Sequence, residues 1–229
     1  MAKHIGIVAC SAEGAALCYQ TLCAEAPALM GEHLHPEVSM HTTPLAEYMR
    51  PIRAGDWQAV AELMLSSTRK LASIGADFAI CPDNTIHQAF DPVRDASPIP
   101  WLHIASSVAE EASRHGYAHL AITGTRYLMT GPVYPQILKQ YGITSRIPDE
   151  EDRERIDTII FKELVNGIFE EKARLYFNDV IRKLKQRGCD AVVLGCTEIP
   201  LLVDPSDCPL PTLDSTRLLA RAALREALR

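Results

Sequence analysis

The sequence predicts an α/β protein of two pseudo-symmetric lobes, each a parallel sheet flanked by helices. Three observations lead there. Short apolar or β-branched runs alternate with longer stretches of helical period: "HIGIVA" before "EGAALCYQTLCAEA", "DFAICP" before "TIHQAF", "HLAIT" before a long helical stretch, and "DAVVLGC" before "TEIPLL". That alternation is the mark of βαβ units around a parallel sheet. The second observation is an internal echo. When "GADFAICPDNTIH" (75–87) is laid over "GCDAVVLGCTEIP" (188–200), Gly75 meets Gly188, Asp77 meets Asp190 and Asp83 meets Cys196. Third, the echo continues in the same chain order, from "HIGIVAC" to "HLAITGT" and from "PIPWLH" to "PLPTLD", so that the three offsets are 115, 113 and 111 residues. Ordered self-similarity at a nearly constant offset reads as a duplicated unit.

The elements follow from local patterns. "DWQAVAELMLSSTRKLASIG" places Val60, Leu63, Met64, Leu71 and Ile74 close to one stripe and ends in Gly75, so it reads as a helix feeding the strand at 77–80. "YFNDVIRKLKQRG" carries Tyr176, Val180, Ile181 and Leu184 on one face, ends in Gly188 and feeds the strand at 190–194. The expected division is an N-terminal lobe over 1–102, completed by 214–229 through the helix "STRLLARAALREAL", and a C-terminal lobe over 103–213.

Composition bounds the function. With 229 residues the chain can bury a substantial core, and 47% hydrophobic with 23% charged residues is ordinary globular usage. The net charge of -6, with basic residues scattered and no run beyond "RKLKQR", gives no footprint for nucleic acid. "MAKHIGIVACSAEG" is too short in apolar residues for a signal-peptide core or a membrane span, so a cytoplasmic protein is expected, without membrane partners. Seven cysteines with no C-x-x-C pair argue against a disulfide framework and against a zinc ribbon, and no metal site is expected. The partner expected is a small carboxylate or amino acid, and self-association as a homodimer stays open.

In folds of this class ligands sit beyond the carboxyl ends of the strands. Cys196, in "LGCTE", follows a buried strand and precedes a helix start, where a thiolate base or nucleophile is favoured; the alternative is an inert buried thiol. Asp83 is the paired residue, with a helix N-cap as its alternative role. Asn84, Thr85 and Thr197 offer donors at the same two turns for a substrate carboxylate, or simple capping. Ser11, after Cys10, and Thr125, before Arg126, follow the first strand of each lobe and would line the site. His87 and His103 are candidates for a proton relay, with backbone-satisfying structural roles as the alternative.

The segments "IGIVACSAEGAA", "CPDNTIH", "PIPWLHIA", "GTRYLM", "IIFKELVNGIF" and "GCTEIPLLV" resemble the aspartate/glutamate racemase family, and in particular its branch of enterobacterial-type amino-acid racemases; the resemblance spans nearly the whole chain. It implies a cofactor-independent isomerase in which two residues on opposite faces of the substrate exchange the α-proton. Most members carry two cysteines, in C-N-T and G-C-T. Here Cys196 matches the second and Asp83 stands in place of the first, while Val165 and "HTTPLAEY" occupy places where the family often has a basic residue for a distal carboxylate. The expected reaction is therefore amino-acid racemisation between Cys196 and Asp83. Two alternatives stand beside it: a single-cysteine decarboxylase or isomerase of a small carboxylic acid, and a non-catalytic protein that binds a small carboxylate.

Overall fold

A computed structural model describes residues 2–229. Its chain forms two compact units, Met1–Ile104 with Thr216–Arg229, and Ala105–Ser215. In the first unit the order is β1 (Ile5–Ala9), α1 (Ala12–Glu25), α2 (Pro27–Met30), β2 (Val38–Thr42), α3 (Leu45–Ala54), α4 (Trp57–Ser73), β3 (Phe78–Ile80), a 3-10 turn (Thr85–Ala89) and α5 (Phe90–Ala96). Helix α6 (Ile104–Arg114) leads into the second unit, with β4 (His119–Thr123), α7 (Arg126–Met129), α8 (Val133–Gln140), β5 (Thr144–Arg146), α9 (Glu150–Lys162), a 3-10 turn (Leu164–Asn166), α10 (Glu171–Gln186), β6 (Ala191–Leu194), α11 (Ile199–Leu202) and β7 (Thr212–Asp214). Helix α12 (Ser215–Ala227) then belongs to the first unit.

Both sheets are parallel, ordered β2-β1-β3 and β5-β4-β6-β7. The strands β1, β3 and β6 are buried throughout, as expected where helices cover both faces of a parallel sheet. In the first unit Ile5, Ile7, Phe78 and Ile80 pack with Cys18 and Leu22 of α1 and with Leu219, Ala220, Ala223 and Leu224 of α12. In the second, Ala121, Val192 and Leu194 pack with Ile156, Ile159 and Ile160 of α9 and with Phe177, Val180, Ile181 and Leu184 of α10.

The Gly-x-Asp echo has one physical use in both units. Gly75 and Gly188 sit just beyond α4 and α10 at φ +94° and +91°, where the left-handed backbone turns the chain back toward the sheet. Two residues later the aspartate ties the start of the central strand. Asp77 Oδ2 accepts the His4 N–H at 2.7 Å while its own N–H donates to the His4 carbonyl at 2.9 Å. Asp190 Oδ2 accepts the Ala118 and His119 N–H groups at 2.7 and 3.1 Å, and its N–H donates to the His119 carbonyl at 2.9 Å.

Several sequence expectations are corrected. Ile74 lies beyond α4 and is 61% exposed, so the α4 stripe is Val60, Ala61, Met64, Leu65, Ser67, Thr68 and Leu71. On α10 the buried aromatic is Phe177; Tyr176 turns to give its hydroxyl to Asp152 at 2.7 Å. "TIHQAF" is a 3-10 turn running into α5, and "TEIPLL" yields only the four-residue α11. The stretch after "HLAIT" is broken by β5, and neither β5 nor β2 was anticipated. Among the described residues no helix is long and apolar enough to cross a membrane.

Candidate active site

At the carboxyl end of the first sheet, β3 delivers Cys81, Pro82 and Asp83 into the turn. The Asp83 carboxylate accepts the Ser11 N–H at 2.9 Å, which couples the ends of β1 and β3. Asn84 occupies the N-cap position of the 3-10 turn, with no side-chain cap bond, Thr85 is its first residue, and Asp83 stands one residue before the cap. Ser11 is itself the N-cap of α1. Ser11 and Asp83 are thus brought together, with the buried Asn84 next to them in the chain.

His87 fixes this turn from behind. Its Nδ1 lies 2.8 Å from the Asp83 carbonyl and its Nε2 accepts the Ile104 N–H at 3.4 Å, so the ring is neutral with its proton on Nδ1. Both nitrogens serve backbone groups, which is the structural role. His103 stands edge-on to His87 and Phe90, with ring centroids 4.8 and 4.5 Å away. Burial holds the His87 pKa well below the usual histidine range, helped by His103, and burial pushes His103 down to about 4.

A base whose folded pKa is depressed contributes stability that is complete above its unfolded value near 6.5 and is lost as pH falls toward the folded value. For His103 alone the full span is worth about 3 kcal/mol. The melting temperature is expected to fall by about 4–8 °C between pH 7.5 and pH 5, and His103→Phe should flatten that fall. An identical slope in the variant would remove His103 as the cause.

At the carboxyl end of the second sheet, β6 ends at Leu194 and Gly195 carries the chain into Cys196, Thr197 and Glu198. The Cys196 thiol donates to Glu198 Oε2 at 2.9 Å, and Glu198 is only 1% exposed. Sequence reasoning missed Glu198, although it stands two residues beyond the cysteine in "GCTE". It also expected a helix N-terminus at Cys196. The structure places Glu198, not Cys196, at the N-cap of a one-turn α11, and sets its carboxylate against the sulfur. Thr197 is buried in the same turn. Thr125 caps α7, accepting the Leu128 N–H at 3.3 Å. Arg126 is an exposed side chain stacked on Tyr127, and its N–H donates to Asp157 at 2.8 Å. Val165 packs against the core of this unit.

The position of Cys196 depends on Gly195. Its N–H donates to the Thr123 carbonyl at 2.9 Å, and a Cβ there would stand 2.6 Å from that oxygen and 2.5 Å from Leu128 Cδ2. Backbone cannot yield as a side-chain tip does, so β6 would have to move away from β4 and carry the thiol with it. Gly195→Ala is expected to cost about 1–3 kcal/mol of stability and to lower turnover roughly 10²-fold, the scale of an ångström-size misplacement. Wild-type kinetics in the alanine variant would show that the thiol tolerates the shift.

The profile of the Asp/Glu/Hydantoin racemase family matches residues 5–223. The chain belongs to that family. The structure of a candidate Asp/Glu racemase from Yersinia pestis superposes with a TM-score of 0.90 at 31% identity, covering 99% of this chain and all of that one. An aspartate racemase homologue from Pyrococcus horikoshii OT3 gives 0.86 at 25% identity, with both chains covered in full. The broad specificity amino-acid racemase RacX of Bacillus subtilis (strain 168) is 20% identical over 191 residues, 83% of this chain and 81% of its own length. The parallel sheets of this racemase-family chain thus agree with a fold seen in solved relatives, and Asp83 and Cys196 lie at corresponding strand ends of its two units. Among the described residues no group of three or more His, Cys, Asp or Glu side chains is placed to hold a metal ion.

Proposed function

We propose that the chain is a cofactor-independent amino-acid racemase in which Cys196 and Asp83 remove and return the α-hydrogen. The observation that supports this most is the Cys196–Glu198 pair. A thiol donating to a buried carboxylate at 2.9 Å forms a unit with one mobile proton between two acceptors. When that proton rests on Glu198, Cys196 is a thiolate and a base; when it rests on sulfur, the thiol is an acid. Without such a partner the thiol would have to release its proton to water before it could act as a base.

Asp83 supplies the other hand. Its carboxylate is oriented by the Ser11 N–H, and it acts as the acid once protonated by the α-hydrogen of the opposite enantiomer. The two steps use chemically different groups, so the barriers of the two directions differ, while the equilibrium between enantiomers is unaffected. Ser11, Asn84, Thr85, Thr125 and Thr197 are assigned to the substrate carboxylate and ammonium. Val165 replaces a family cation with an apolar side chain, which favours neutral over acidic substrates, in keeping with the broad specificity of RacX. Seven free cysteines suit a reducing compartment, and we place the enzyme in the cytoplasm.

The test is a panel of L-amino acids incubated in deuterated water. NMR should show α-deuterium incorporation, and chiral chromatography the matching D-enantiomer. Turnover that survives in Asp83→Asn would favour the single-cysteine chemistry instead, and no exchange with any amino acid would sink the racemase reading.

A further inference from the structure

The sheet of the first unit has two edges, and the fold treats them differently. The β3 edge is covered by the chain itself, since the Ala79 N–H donates to the Pro100 carbonyl at 2.8 Å and the Ala79 carbonyl accepts the Leu102 N–H at 3.1 Å. The β2 edge has no strand beyond it. In the second unit the edge strands β5 and β7 are three residues each and carry Arg146 and Asp214, the short and charged form that discourages pairing with another chain. Strand β2 is five residues long, reads "VSMHT", and has no acidic residue, lysine, arginine or proline. It lacks the protection of an ordinary edge.

The register decides which groups this edge offers. The Glu37 carbonyl accepts the Ile5 N–H at 2.9 Å and the Thr43 N–H donates to the Ala9 carbonyl at 3.5 Å, so the odd-numbered residues turn their backbone toward β1. Backbone direction alternates along a strand, and Val38, Met40 and Thr42 therefore point theirs away from the sheet. Side chains alternate with them. Val38 packs against the cluster that holds Cys18 and Leu22 of α1, which puts Met40 and Thr42 on the α1 face, and Met40 is 41% exposed. The odd-numbered side chains lie on the α4 face, where His41 Nδ1 is 2.9 Å from Ser67 Oγ and His41 Nε2 is 2.9 Å from Lys70 Nζ. Glu37 shares that face. Its Oε1 lies 3.9 Å from Nδ1 of His4, whose Nε2 is 2.9 Å from Ser39 Oγ, and its side chain is 75% exposed.

We propose that β2 is the seat of a homodimer, in which β2 of a second copy pairs with it antiparallel about a two-fold axis through Met40. The proposal is independent of the acid/base chemistry above. An axis at residue 40 sets Met40 opposite the partner's Met40 and Val38 opposite the partner's Thr42, and each pair exchanges both backbone bonds because all three residues face outward. The flanking prolines select this register. An axis at residue 39 would set Thr42 opposite the partner's Pro36, and an axis at residue 41 would set Val38 opposite the partner's Pro44, neither of which has an N–H to give. On the α1 face the exposed Met40 then covers its own copy, and Val38 meets a β-branched residue. On the α4 face the partner's Glu37 is the diagonal neighbour of His41, where Lys70 sits, so a cation meets an anion at each end of the seam.

Sedimentation velocity on the full chain at micromolar concentration is expected to show the wild type at twice the mass of one chain. Met40→Lys sets like charges against each other on the axis and should weaken the dimer about 10-fold or more. Glu37→Lys and Lys70→Glu should each weaken it about 10-fold, because two symmetry-related contacts turn repulsive, and the double variant Glu37→Lys/Lys70→Glu should return to within about 2-fold of the wild type. A folding defect would not be relieved by the second change. Hydrogen exchange reads the same seam with no substitution: the Val38, Met40 and Thr42 amides should be protected in the wild-type dimer and lose that protection on dilution. A monomeric wild type, a dimer that Met40→Lys leaves intact, a double variant no tighter than the single ones, or fast exchange of those three amides in the dimer overturns the pairing.

Discussion

Cys196→Ala is expected to abolish racemisation, with a loss of about 10³-fold or more, while the circular dichroism spectrum and melting temperature stay those of the wild type. The thiol is half-buried at the end of β6, and only part of it packs on the core of its unit, so trimming one sulfur leaves little cavity. What is lost is the proton-transfer group itself. Cys196→Ser should be nearly as damaging. A hydroxyl can still donate to Glu198, but it surrenders its proton far less readily than a thiol, so the carboxylate cannot convert it into a base. Chiral chromatography and a thermal melt on the same samples decide the matter, and retained activity in either variant would displace Cys196 from the chemistry.

Asp83→Asn is expected to lower turnover roughly 10²-fold or more, the usual scale of a general acid or base, with little change in melting temperature. The structure makes this a clean substitution. The carboxylate accepts the Ser11 N–H at 2.9 Å, and the amide oxygen of asparagine can accept the same bond. Only the capacity to take and give a proton disappears. Asp83→Cys reverses the balance. Sulfur accepts a hydrogen bond poorly, so stability should drop by about 0.5–1.5 kcal/mol, yet the variant regains a group that can exchange a proton and should recover racemisation. Wild-type turnover in the asparagine variant would leave Asp83 with a structural role, such as its bond to the Ser11 N–H.

Much of this was legible in the sequence, for a physical reason. The strands β1, β3, β4 and β6 are almost wholly buried, so they are written in continuous apolar runs, and the Gly-x-Asp pairs at 75–77 and 188–190 mark a turn and a strand tie that any copy of the unit needs. The strands β2 and β5 were not legible. They lie at sheet edges, are partly exposed, and are spelled "VSMHT" and "TSR", with no apolar alternation; pairing with β1 and β4 makes them strands. The site followed the same division. Cys196 and Asp83 stood out because they follow strong strands. Glu198 was hidden because what matters about it is its burial against the thiol, and the Ser11–Asp83 bond spans 72 residues.

Helix α12 has a consequence for biosynthesis. The second unit is one uninterrupted segment, Ala105–Ser215, but the first is made of two segments and is closed only by residues 216–229. On the ribosome, Ile5, Ile7, Phe78 and Ile80 therefore wait without the cover of Leu219, Ala220, Ala223 and Leu224 until residues 216–229 emerge. The half of the chain made first is the half finished last. For that interval the nascent polypeptide shows an uncovered apolar sheet face, the kind of surface that draws holdase chaperones and, if left unattended, aggregation.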